Sequence, residues 1–286
     1  MAVEKPKVEW YERLLGIDRR WIYAIMAVVV VIPAVFPFLA PVTISSEVRN
    51  TFEFVEDLEA GDVFLLGIDY EPSTLAELHP MTTAILSQAF EKDLKVILTT
   101  LSQFGPAMAD AIITEVAEQY GKEHGVDYTF LGYKPYPAIT ILAMGTNFRV
   151  PFPTDYYGTP VDEIPMMEDI QNYDDVEGVI SIAAGNSADF WIQYGNAKYG
   201  VPVALGVTGV MASDYYPYLQ SEQIFGLIPG VKGAAEYETL LEQPGEASRA
   251  MPYQVTTHAM ILLFMIITNI GYVAQRRAQR KAGMMR

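Results

Sequence analysis

Two uncharged apolar runs bracket the chain. Between them, short apolar runs alternate with amphipathic stretches. Residues 21–42 and 255–274 carry no formal charge over 22 and 20 residues. A helix of roughly 20 residues crosses the hydrocarbon core of a bilayer, so both are expected to span. Trp21 and Tyr23 suit the interface at the start of the first run. Pro33, Pro37 and Pro41 each remove a backbone donor, which predicts a straight first half and a kinked or loosened second half. A cleaved signal peptide fits poorly, because the charged leader is long and no A-x-A site follows. The second run carries His258, Thr268 and Asn269. Such groups bond across a helix interface or to their own backbone, and His258 could sit at headgroup level.

Between the spans, residues 46–59 repeat apolar positions at helical spacing, with Ser46 as N-cap, and read as a stalk or first packing helix. After Gly61-Asp62, residues 63–68, 95–101, 127–132, 176–183 and 201–207 read as buried strands, with a sixth at 223–228. Helices are expected at 73–92, 106–121, 187–199 and 234–241, and a short helix or strand at 138–144. Strands without alternation, separated by helices, indicate an α/β domain with a doubly wound, mostly parallel sheet. Residues 146–175 break the pattern with four prolines and the aromatic pair Tyr156-Tyr157. A long aperiodic stretch is usually a lid, a docking surface or a disordered insert, and its aromatics argue against disorder.

Composition narrows the class. Hydrophobic residues make up 51% and charged residues 19%, which excludes a disordered chain. There is no cysteine, so thiol catalysis and cysteine-based metal sites are out. A net charge of -16 argues against nucleic acid as a partner. The charge is also segregated. Lys5, Lys7, Arg13, Arg19 and Arg20 precede the first span, and Arg276, Arg277, Arg280, Lys281 and Arg286 follow the second. Residues 43–254 hold only 9 of the 19 basic residues but 31 of the 35 acids. Basic residues flanking spans stay cytoplasmic and bind anionic lipid, so a two-pass cell-membrane protein is expected. Its parts are a cytoplasmic leader 1–20, spans at 21–42 and 255–274, and a cytoplasmic tail 275–286. Residues 43–60 and the α/β domain 61–254 lie outside.

Ligands of open parallel sheets gather at the carboxyl ends of strands. The candidates there are Asp69, Glu71, Ser102, Lys134, Asn186, Ser187 and Thr208. Asp69 and Glu71 are also the candidate oxygen ligands for a hard cation, though alternation points them apart. Gly185-Asn186-Ser187 could cradle an anion or simply cap a helix. No Walker A loop, G-x-G-x-x-G, G-x-S-x-G or H-E-x-x-H is present, so no catalytic residue and no cofactor is assigned. Candidate partner contacts are Tyr156, Tyr157, Tyr216, Tyr218, His258 and Asn269.

Residues 179–185 (VISIAAG) and 202–207 (PVALGV) resemble periplasmic-binding-protein-like or flavodoxin-like domains. The blocks at 131–135, 153–160 and 216–237 resemble a prokaryotic two-span membrane family. The first resemblance implies a ligand cleft. Three functions follow as expectations: a non-catalytic binding or assembly subunit of a larger membrane complex or homo-oligomer, a ligand-binding receptor or sensor, and an oxygen-ligand metal-dependent hydrolase using Asp69 or Glu71.

Overall fold

The computed structural model describes residues 9–281; Lys5, Lys7 and Arg286 of the basic flanks lie outside them. The chain divides into a globular unit, Pro41–Arg249, and a unit formed by the segments on either side.

The globular unit is an α/β fold on a six-stranded, all-parallel sheet in the order β3-β2-β1-β4-β5-β6. The strands are β1 (Val63–Asp69), β2 (Lys95–Thr100), β3 (Tyr128–Tyr133), β4 (Val179–Ala183), β5 (Val203–Val207) and β6 (Gly226–Pro229). The chain builds outward from β1 twice, first to β2 and β3, then back across to β4, β5 and β6. The flavodoxin-like order 2-1-3-4-5 differs, which corrects that part of the resemblance.

Helices α1 (Trp10–Leu15) and α2 (Arg19–Val35) precede the unit. Within it, α3 (Ser46–Asp57), α4 (Leu75–Glu91) and α5 (Gly105–Tyr120) are followed by α6 (Pro137–Met144). The expected helix at 187–199 is three pieces: α7 (Ser187–Phe190), a π-helical turn (Trp191–Asn196) and α8 (Ala197–Tyr199). Then come α9 (Ala212–Gln220) and α10 (Gly230–Leu240). Helix α3 packs on β6 and α10, and α10 packs on α4.

Local structure at three places adds to the sequence reading. The tyrosine cluster at 215–218 follows β5 and lies in α9, with Pro217 inside that helix. The glycines around Pro229 form a strand-to-helix junction: α10 begins at Gly230, whose φ is +55°, and a Cβ there would lie 2.9 Å from the Gly209 amide nitrogen. The stretch 146–175 is neither a lid nor disordered. It forms three 3-10 turns and buries Phe148, Phe152, Val161, Met167 and Tyr173 in the core, where they pack on one face of the sheet. The Asp155 carboxylate ties it down, accepting from the amides of Tyr157 and Thr159 and lying 2.9 Å from His124 Nε2.

Two buried glutamates of α10 hold the ends of the unit. Glu236 accepts from the amide and hydroxyl of Ser45, the residue preceding α3, at 2.7 and 2.6 Å, and pairs with Lys232. Glu238 accepts from the amides of Gly245, Ala247 and Ser248 at 2.9, 2.9 and 2.7 Å. It thereby caps α11 (Glu246–Lys281), whose first amides have no helical partner. A buried charge is tolerable only with such bonds.

The membrane expectation needs correction. Helix α2 ends at Val35 after 17 residues; Pro33 lies in its last turn, and the chain leaves the helix before Pro37 and Pro41. That is about 26 Å at 1.5 Å per residue, short of the roughly 30 Å hydrocarbon core. Among the described residues, only α11 is long and apolar enough to cross a membrane. Within the flanking unit, Ile22 and Met26 of α2 line a groove with Ile261, Met265 and Thr268 of α11. The Asn269 amide also lines it, and donates to the Met265 carbonyl of its own helix at 2.8 Å, so one of its polar groups is satisfied without a second helix.

Truncating Glu238 to alanine would strand three amides at the start of α11. We expect Glu238→Ala to lose about 2 kcal/mol or more in chemical unfolding of the detergent-solubilised chain, and Glu238→Gln, which keeps an acceptor, to lose less. An unchanged unfolding midpoint in Glu238→Ala would contradict this role.

Candidate functional site

Where the sheet order reverses, no crossover covers the carboxyl ends of β1 and β4, and a crevice opens. A cleft of about 280 Å³ occupies that place. It is lined from β1 by Asp69, Tyr70 and Glu71, from the β2–α5 turn by Leu101 to Phe104, from α6 by Pro137, and from β4 by Ala184 to Ser187.

Asp69 forms its floor and is only 4% exposed. Its backbone carbonyl accepts from the Ala184 amide at 3.0 Å, holding the end of β4. Its Oδ1 accepts from the Leu101 amide at 2.5 Å and the Thr100 hydroxyl at 3.3 Å, holding the end of β2. Oδ2 is buried and makes no hydrogen bond of ordinary geometry. Burial pushes the carboxyl up to about 6, partly offset by Leu101, Ser187 and Thr100. Gly105 permits this packing: a Cβ there would meet Thr100 Oγ1 at 1.9 Å and the Ile68 carbonyl at 2.7 Å.

The seam below Asp69 is also polar. Ser181 Oγ and Trp191 Nε1 are buried without partners. Both face the space left by Gly67: a Cβ on that glycine would lie 3.5 Å from each. Trp191 opens the π-helical turn, an irregularity frequent at functional sites.

The structure gathers Asp69, Glu71, Ser102, Asn186 and Ser187 in one cleft and leaves Lys134 and Thr208 out. Lys134 follows the edge strand β3, two strands from the reversal, and its ammonium sits over the Phe152 ring. Thr208 ends β5, beyond β4, and is buried there. Glu71 accepts from the Ser73 hydroxyl at 2.8 Å. No group of three or more His, Asp or Glu able to hold a metal occurs among the described residues, so Asp69 and Glu71 stand without a third ligand.

Sequence reasoning missed Phe104 and Pro137, which reach the cleft only through the strand order. The Gly67–Ser181 pair did leave a signal: each is the one small or polar break inside its strand's apolar run, and the two are in register. Of the expected partner contacts, the Tyr157 hydroxyl donates to Asp110 and the Tyr216 hydroxyl to Glu47. Tyr156 stacks on Phe130, and Tyr218 packs partly buried beside Tyr215.

Behind the cleft, the buried Tyr70 hydroxyl lies 3.1 Å from His79 Nδ1. Burial pushes that hydroxyl up to about 12 and the imidazole below its ordinary value, against the opposing pull of Glu246 and Glu115.

No model of a known protein family matches the chain, and no curated protein matches it. The cleft's own chemistry therefore carries the functional argument.

The folded protein holds the Asp69 proton to about pH 6, the unfolded chain only to about 3.8. This group's contribution to stability is therefore complete below the lower value and lost as pH rises through the upper one. At neutral pH the ionised carboxylate costs up to about 3 kcal/mol. We expect Asp69→Asn to raise the melting temperature at neutral pH and to change it little near pH 4. Equal shifts at both pH values would show that the buried charge is not the cause.

Proposed function

We propose that this chain is a membrane-anchored α/β module that binds a small ligand in the cleft at the β1–β4 reversal. The observation carrying the reading is Asp69: a buried carboxylate lining the cleft, with one oxygen latched to β2 and the other without a hydrogen bond of ordinary geometry. Groups whose burial lowers stability concentrate at functional sites. Dinucleotide binding uses the same strand order but suits these residues poorly. The turn after β1 reads Tyr70-Glu71-Pro72 instead of glycines, and among the described residues no Lys or Arg lines the cleft. Hydrolysis is disfavoured as well, because no histidine stands beside Ser102 or Ser187 as a base. A role as an assembly subunit has weaker support, since Asn269, Tyr157 and Tyr216 find partners within the chain.

The anchoring reading is two-pass, with both ends cytoplasmic and 43–254 outside. It is supported by the segregation of charge and by the outward apolar side chains of α2, among them Val28, Val31 and Val35. The apolar residues 36–42 that follow α2, extended at about 3.3 Å each, supply the length that a 17-residue helix lacks.

Two measurements test this function. Protease added to right-side-out vesicles should digest the middle domain and spare tags on both termini; the converse pattern would reverse the topology. Native mass spectrometry of the chain extracted from its host membrane should show a small-molecule adduct. A Cβ on Gly185 meets nothing within 4 Å, so Gly185→Trp can fill the cleft without disturbing the backbone. That variant should lose the adduct while its circular dichroism stays unchanged. An adduct that survives Gly185→Trp would place the ligand elsewhere.

A further inference from the structure

The reading of the cleft as a ligand site can be carried to the chemistry of the ligand. We infer that the cleft takes a small organic cation, one bearing a primary ammonium on a short apolar or weakly polar body, with the ammonium seated on Asp69 Oδ2.

The charge comes first. Among the described residues, two carboxylates, Asp69 and Glu71, line the cleft, and no Lys, Arg or His shares it. An anion brought here would meet like charge in a partly desolvated space. A neutral ligand would leave the carboxylate without a counter-charge, and a buried charge without a partner is costly. A cation resolves that cost. The bare oxygen gives the position: Oδ1 is engaged by Leu101 and Thr100, so the remaining acceptor strength of a 4%-exposed carboxylate is directed through Oδ2. An ammonium carries three donors, and hydrogen bonds between ionised partners are about twice as strong as neutral ones.

The walls then separate an organic cation from a metal ion. Leu101, Phe104, Pro137 and Ala184 present hydrocarbon to the cleft. Calcium asks for six to eight oxygen ligands, and magnesium for an octahedral set. An alkylammonium uses both halves of this lining, its head on the carboxylates and its body against the apolar side. Phe104, half exposed at the rim, offers a ring face of the kind that attracts ammonium groups. The volume, about 280 Å³, lies at the small end of ligand pockets, which limits the body to a few carbons and a polar substituent.

The test uses three probes of one shape and different charge: butylammonium chloride, 1-butanol and sodium butyrate. Calcium chloride is the fourth. Each is titrated calorimetrically into the full chain in detergent at neutral pH, with Gly185→Trp as the blocked cleft. Butylammonium should bind saturably, fail to bind Gly185→Trp, and bind Asp69→Asn at least about tenfold more weakly. Glu71→Gln, a change at a half-exposed carboxylate, should weaken it by a smaller factor. Butanol or butyrate binding the open cleft as well as butylammonium would overturn the assignment of charge while leaving the cleft a binding site. Calcium binding that Asp69→Asn abolishes, with no butylammonium binding, would replace the organic cation by a metal. Absence of all four at the cleft, in a chain whose circular dichroism is intact, would overturn both this assignment and the binding reading beneath it. Asp69→Asn binding butylammonium with wild-type affinity would overturn the seat on Oδ2.

Discussion

Parallel strands cannot be joined by hairpins, so each connection must cross a face of the sheet. This chain makes those crossings outward from β1 in both directions. The consequence is geometric: the carboxyl ends of β1 and β4 adjoin, yet no connection passes over them. Everything that distinguishes the globular unit is arranged around that gap. Asp69 closes its floor by joining the ends of β2 and β4 to β1, one through its side chain and one through its backbone. Gly105 lets α5 begin tightly against β2, and Gly67 leaves space for Ser181 and Trp191 below.

Three buried carboxylates illustrate how differently a low-dielectric interior can treat the same group. Glu236 and Glu238 are saturated by amides, a hydroxyl and a lysine, and they serve the architecture. Asp69 has one oxygen engaged by Leu101 and Thr100, and its burial raises its proton affinity. Burial by itself does not mark a site; incomplete satisfaction at the floor of a cleft does. The same reasoning separates Asp155 from Asp69. Asp155, as buried as Asp69, lines no such cleft; it faces His124 and two loop amides and holds a segment of core in place.

Much of the sheet could be read from the chain, because parallel strands buried on both faces are continuous apolar runs bounded by polar residues. The strand-end rule then gathered Asp69, Glu71, Ser102, Asn186 and Ser187. It failed for Lys134 and Thr208 because it treats all strand ends as equivalent, and only strand order, which periodicity does not encode, says which of them adjoin. Two sets of prolines in the globular unit sit within ordered structure. Pro217 sits inside α9, and the prolines of 146–175 punctuate a segment whose aromatics are core. In the first apolar run proline acted as its chemistry predicts, and the helix stopped before the apolar residues did. Asn269 met its need by the shortest route, a carbonyl one turn back, which a composition argument cannot distinguish from a bond to another helix.

The two ends of the globular unit meet on one late helix. Ser45 bonds to Glu236 across 191 residues of sequence, and α3 rests on β6 and α10, the last strand and helix of the unit to be made. Such contacts carry a large loop-closure entropy and place the fold among those with high contact order. A chain emerging from the ribosome can form β1, β2 and β3 with their helices early, but α3 has no surface to cover until β6 and α10 exist. Its apolar face, Val48 and Val55 included, must wait exposed through most of synthesis. Completion of the fold is therefore tied to delivery of the segment that leads directly into α11, so the helix able to enter the membrane follows at once upon the elements that seal the domain.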